Sequence, residues 1–241
     1  MSRALLVASR QLRAYFRSPL AAVIVAAALL LDGILFYWKG LGADKLLSAE
    51  VLQEFFYNAS GVTAASALFL SMGLLAEERQ TGTFTLLNTS PITDGQIIAG
   101  KFLAAFGMIV VLTLLTAYMP ALIFVNGKVS VGHIAVGYLG LLLLGSAVVV
   151  IGLFASALTR SQIIAVIVGA ITIGVLYVLW IVARAADPPL NAFLSAAAFH
   201  HENFRGFMLG VLELGHVVYY LSVTYFFLLA ATKILEARRW R

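Results

Sequence analysis

Two adjacent carboxylates and a guanidinium, Glu77-Glu78-Arg79, lie between two long apolar stretches of this chain and run on into Gln80-Thr81-Gly82-Thr83. Charge is expensive at depth in hydrocarbon, so the group belongs outside it, where another protein could hold it. Thr83 to Leu87 is apolar enough for a short helix, and Asn88 to Thr93 holds turn formers around Pro91. The pattern is therefore span, acidic pair, short surface helix, turn, span. Such a helix can fit a groove and carry force as a rigid body. The plain alternative is a solvated loop.

The other chemically capable groups are weaker. Gly95 to Lys101 has the spacing of a phosphate-binding loop, yet Phe102 stands where the metal-binding hydroxyl belongs, no strand precedes it, and an apolar span follows. Nucleotide binding is not expected there. His200, His201, Glu202 and His216 invite a metal reading. Neighbouring histidines point to different faces of a helix, which favours an aromatic and polar interfacial loop instead. Neither a His-Glu-x-x-His nor a Gly-x-Ser-x-Gly pattern occurs. Asp32 and Glu213 are the carboxylates nearest the spans; both read as lying near outer ends, where exposure is cheap. Glu213 and His216, three apart, could pair on one helical face. No catalytic, cofactor-binding or metal-binding residue is expected on this chain.

The elements that position these groups are membrane helices. The chain has 241 residues, of which 62% are hydrophobic and 11% charged, against about 25% charged in soluble domains. Apolar stretches of about 20 residues recur, and the short alternating segments of a β-barrel do not. The expected fold is all-α, a single transmembrane domain over residues 1–241 with six spans: Pro19 to Trp38, Phe55 to Ala76, Ile97 to Val125, Ile134 to Leu158, Ile163 to Ala183 and His216 to Leu235. The first is read as a retained span rather than a cleaved signal. Eleven of the sixteen Lys and Arg flank one side of this arrangement. Five (Lys39, Lys45, Lys128, Arg184 and Arg205) flank the other. The positive-inside bias places both termini and the Glu77 group in the cytoplasm.

Residues 1–18 read as an interfacial amphipathic helix, with Leu5, Leu6, Ala8, Leu12 and Phe16 on one face and Arg3, Arg10, Arg13 and Arg17 supplying charge. Residues 184–215 open with the helix breaker Asp187-Pro188-Pro189 and read as an outward re-entrant or interfacial segment. In it Gly206 and Gly210 form a small-xxx-small pair that permits close helix approach. The basic residues flank spans, so lipid rather than nucleic acid is their expected partner. With no cysteine in the chain, disulfides and thiolate metal sites are excluded.

Glu77-Glu78-Arg79, Gly82-Thr83, Leu86-Leu87, Ser90-Pro91 and Gly100-Lys101 together resemble the first cytoplasmic loop of type-2 ABC exporter permeases. Val218-Tyr219-Tyr220-Leu221-Ser222, Leu235 to Arg241 and His201-Glu202-Asn203-Phe204-Arg205-Gly206 are similar to the permease subunit of the gliding-motility-associated ABC transporters. The chain departs from many relatives at Phe84-Thr85, where an acidic residue follows the Gly-Thr pair. The resemblance implies a bacterial inner-membrane permease that pairs with a second permease copy or paralogue and two ABC ATPase subunits, with room for an accessory membrane protein. ATP and Mg would belong to the ATPase, with no cofactor on this chain. Residues 77–97 would be the coupling segment. Glu77, Glu78 and Arg79 would end span two and brace a docking helix, Gly82, Thr83, Leu86 and Leu87 would form its body, and Pro91 and Lys101 would set the return into span three. The alternatives are a scaffold with a permease-like fold that moves nothing, or an ATP-independent ion transporter. The paucity of central charges argues against the last.

Overall fold

The computed structural model describes residues 3–41, 47–82, 92–126 and 129–239, and those residues contain helices and no strand. Ten helices and one π-helical turn follow in order: α1 (Arg3–Arg17), α2 (Pro19–Leu35), a π turn (Phe36–Leu41), α3 (Ser48–Gln80), α4 (Asp94–Leu115), α5 (Tyr118–Asn126), α6 (Val131–Leu158), α7 (Gln162–Ala185), α8 (Leu190–Ala197), α9 (Arg205–Met208) and α10 (Leu214–Arg239). Six stretches are long and apolar enough to cross a bilayer: Pro19–Lys39, Ser48–Gln80, Asp94–Ile123, Val131–Leu158, Gln162–Ala185 and Leu214–Ala237. This is the expected all-α, six-span architecture. Each span overlaps its sequence expectation, with differences at the edges and a break within the third.

The differences have local causes. Span two begins at Ser48 and runs to Gln80, so the acidic pair occupies the last turn of the span helix and is not a separate island. Gly82, at φ +74°, closes that helix in the left-handed conformation that glycine adopts without steric cost. Span three is broken at Thr116 and Ala117, between α4 and α5. α4 starts on a reciprocal cap in which Gln96 N donates to Thr93 Oγ1 and Thr93 N donates to Gln96 Oε1. Pro19 opens α2, where its missing N–H costs nothing.

α6 is the axis of the bundle. It packs against α3, α4, α7 and α10 and is buried nearly all round. Its glycines admit neighbours closely: a Cβ at Gly152 would lie 1.9 Å from Ser71 Oγ of α3, and one at Gly137 would lie 2.2 Å from the Phe56 ring. By contrast α7 exposes Ile163, Ile167, Ile171, Val175 and Val178 along one face, as a lipid-facing helix must.

Gly206 and Gly210 do not make a helix-packing pair. α9 is only four residues long, and Gly210 ends it at φ +74°. A Cβ there would lie 2.7 Å from the His133 ring. The pair serves a tight turn under a histidine.

Candidate functional site

The end of the bundle that holds Glu77 also holds α1 and the last turns of α10, because α1 packs on the start of α4 and Thr232 of α10 lies beside Gly95. Three separate ties bind the last turns of α3 into this end.

The first is ionic. Lys101 sits in the second turn of α4, with only 1% of its side chain exposed. Its ammonium lies 2.7 Å from Glu78 Oε1 and donates to the Leu74 carbonyl. A buried ammonium is tolerated only when paired and hydrogen-bonded. Both conditions are met by α3, so the acidic pair and the Gly-Lys pair are two halves of one contact. The second tie is a cap. Arg79 Nη1 donates to the carbonyls of Ala157 and Thr159 at the C-terminus of α6. Those carbonyls lack intrahelical partners, and a cation suits the negative end of the helix dipole. The third is a hydroxyl stitched into a neighbouring helix. Ser156 Oγ of α6 donates to Met72 O and accepts from Leu75 N (3.0 Å) and Ala76 N (2.9 Å). α3 cannot shift along α6 here without losing all three bonds.

α1 adds a strap from outside. Gly100 lets it approach α4, since a Cβ there would lie 2.6 Å from Val7 Cβ and 2.7 Å from Ala4 O. Tyr15 Oη donates to Leu70 O of α3 at 2.6 Å. Burial, and then the Glu77 charge, push the Tyr15 phenol well above its ordinary range, so it stays a donor. Leu5, Leu6 and Phe16 remain exposed on the outer side, while Ala4, Val7 and Tyr15 face the bundle. A cavity of about 500 Å³ lies beneath α1; its wall includes Arg10, Tyr15, Glu77, Glu78, Lys101 and Gln162.

The structure thus brings Glu78 and Lys101 together and places Arg79 one residue on, against α6. Glu77 is exposed at the cavity rim. Thr83, Leu86, Leu87 and Pro91 lie outside the described residues, as does Phe84-Thr85. Gly95 to Lys101 is helical from Asp94 onward, with its lysine committed to Glu78, and so does not form a loop. Sequence reasoning missed Tyr15 and Ser156, which carry no pattern of their own, and it gave Gly100 no packing role.

At the opposite end, His200 and His201 do diverge. His200 Nε2 lies 2.7 Å from Ser60 Oγ, and its ring stacks on Tyr177. His201 stacks on Trp180. Burial, and then the His201 charge, lower His200 to about 4. Glu213 and His216 do pair, at 3.7 Å. Asp32 departs from expectation: it is not an exposed outer-end residue but is buried within the bundle, 4% exposed. It falls on the inward stripe of α2, in register with Ala28 and Phe36.

The family model described as "ABC-2 family transporter protein" matches residues 11–233 of this chain. The match takes in the Glu78–Lys101 contact, the Arg79 cap, the first five spans and most of the sixth. No curated protein matches the chain.

Proposed function

The chain belongs to the ABC-2 family of transporter proteins, and from that membership we propose that it is the permease subunit of an ATP-driven exporter. It is a multi-pass membrane protein of a family that supplies the transport subunit and normally pairs with an ABC ATPase. In the proposed assembly two ATPase subunits dock on residues 77–97 of two permease copies, or of this permease and a paralogue. An accessory membrane protein is a further possible member of the assembly. Both termini and the docking segment face the cytoplasm of a bacterium, in keeping with the Lys and Arg bias. ATP and Mg act on the ATPase. The gliding-motility-associated subgroup is the proposed placement within the family.

The observation that carries the coupling reading is the bracing of both arms of this segment. Glu78 on the arm that enters it is ion-paired with Lys101 on the arm that leaves it. Arg79 and Ser156 lock the entering arm to α6. A push on a segment held in this way moves spans two, three and four together, because packed helices shift as bodies rather than deforming. An unbraced loop would absorb the push.

Co-purification of the ATPase with the permease in detergent is the test. Leu86→Glu, alone and with Gly82→Glu, is expected to lower recovery of the ATPase while leaving membrane insertion of the permease unchanged. Unchanged recovery refutes docking at this segment. Transport into vesicles that persists without ATP would instead favour an ATP-independent carrier, and no transport in either condition would favour a scaffold.

A further inference from the structure

Asp32 occupies a place built for an apolar side chain. The buried positions of α2 are Ala21, Ala28 and Asp32, followed one turn later by Phe36. Phe36 meets Phe55 of α3 edge-on at 5.9 Å. Most of span one faces outward, so Asp32 is among the few residues by which this helix seats on the bundle. Its Oδ1 is buried and makes no hydrogen bond among the described residues.

Among the described residues no cation is set against it. Lys39, two turns further along the same chain, donates to Asn58 Oδ1 at 3.3 Å. Glu54, beside Phe55 on α3, is the next carboxylate toward that end, and no described base pairs with Asp32. The other titratable groups facing Asp32 are phenols, which carry no positive charge in either protonation form. Tyr118 of α5 has its hydroxyl 3.8 Å from where a Cβ on Gly33 would sit. Tyr138 of α6 lies close enough to feel the Asp32 charge and is 3.2 Å from Thr116 Oγ1. No cluster of three ligand side chains for a metal ion occurs among the described residues.

We propose that Asp32 is an intramembrane proton-binding site, holding its proton while span one is seated on the bundle and releasing it when that seat opens to water. An unpaired carboxylate ion in this setting costs several kcal/mol, which no described residue beside it repays. A proton removes the charge and occupies no volume. The seat is also bounded by two irregular segments. The π turn at Phe36–Leu41 starts one helical turn beyond Asp32, and the break at Thr116 and Ala117 interrupts the helix that presents Tyr118 and Met119 to Gly33. Irregular turns within spans are where helices bend. A rocking of span one about the π turn would wet Asp32 and let it ionise. This site goes beyond the exporter reading and does not depend on what drives the motion.

The test is covalent labelling of the whole chain in lipid vesicles with dicyclohexylcarbodiimide. The acid adds across one C=N bond: its proton goes to nitrogen, its oxygen bonds the central carbon, and the O-acylisourea rearranges to a stable N-acylurea with every atom retained. The carboxylate form does not react in this way. Peptide mass spectrometry is expected to find the adduct at Asp32 at about pH 7, where an exposed carboxyl is almost wholly ionised. Labelling should fall about tenfold per pH unit on the alkaline side of its midpoint. Asp32→Asn should remove the adduct and Asp32→Glu should keep one at position 32. Absence of an Asp32 adduct in the parent chain at neutral pH, with labelling confined to exposed carboxyls such as Glu202, overturns the proposal. So does suppression of the adduct by Na⁺ at fixed pH, which would make this a metal-cation site. Neither outcome bears on ATPase docking, so failure here and failure of the exporter reading are separable.

Discussion

Replacing Lys101 by methionine removes the ammonium that Glu78 and the Leu74 carbonyl share, and keeps most of the buried stem. The lost ammonium offset part of the desolvation of Glu78. That carboxylate is 24% exposed, so water recovers part of the loss, and about 2 kcal/mol of destabilisation is expected rather than the ~3–5 of a fully buried pair. Glu78→Met should cost more, about 3 kcal/mol, because the partner left behind is the 1% exposed ammonium. The two changes together remove both members of the ion pair and should cost about 2 kcal/mol, well short of the ~5 that additivity requires. Thermal unfolding of the detergent-solubilised protein, followed by tryptophan fluorescence, reads this as midpoint drops. At ~2–4 °C per kcal/mol for a chain of this size, the losses are about 6, 9 and 6 °C. A double variant whose loss equals the sum of the singles would refute the reasoning. The two arms would then be independent, and the bracing argued for the coupling segment would not exist.

Two further outcomes follow from the same geometry. Gly100→Leu puts a side chain where Val7 Cβ and Ala4 O already are, so α1 should lift from α4. Because the chain lacks cysteine, a single Val7→Cys probe should be slow to react with maleimide in the parent and severalfold faster beside Gly100→Leu; equal rates would mean α1 is not held there. His200 is held near 4 by burial, below the ordinary value of about 6.5, so the unfolded chain takes up the proton first on acidification. Stability should be intact above about pH 6.5 and fall by at most about 3 kcal/mol as pH drops toward 4, a loss that His200→Gln abolishes; an unchanged pH profile in that variant counts against a buried neutral ring.

The span count was legible because it needs only a sum over about 20 residues of transfer free energy, a quantity that neighbours do not alter. The Glu77 group and the Gly-Lys pair were legible as motifs for the same reason: charge at the end of an apolar helix is anomalous in one dimension. What joins them was not. Lys101 follows Glu78 by more than twenty residues, and nothing in the spacing says that its ammonium turns inward to α3 rather than outward to headgroups. Gly206 and Gly210 misled because a four-residue spacing has meaning only on a helix long enough to present it.

Asp32 marks the boundary most sharply. Sequence by itself determined that a carboxylate falls within span one, and that this protein has six apolar spans with a charged group where the second ends. Only the tertiary structure decided which side of span one faces its neighbours, because a helix apolar nearly all round has no moment to orient it. That rotation carries Asp32 from cheap exposure to burial, with its Oδ1 unpartnered among the described residues. Contacts distant in sequence set it: α2 on α3, α1 on α4, and the hydroxyl of Ser156 within the ladder of α3.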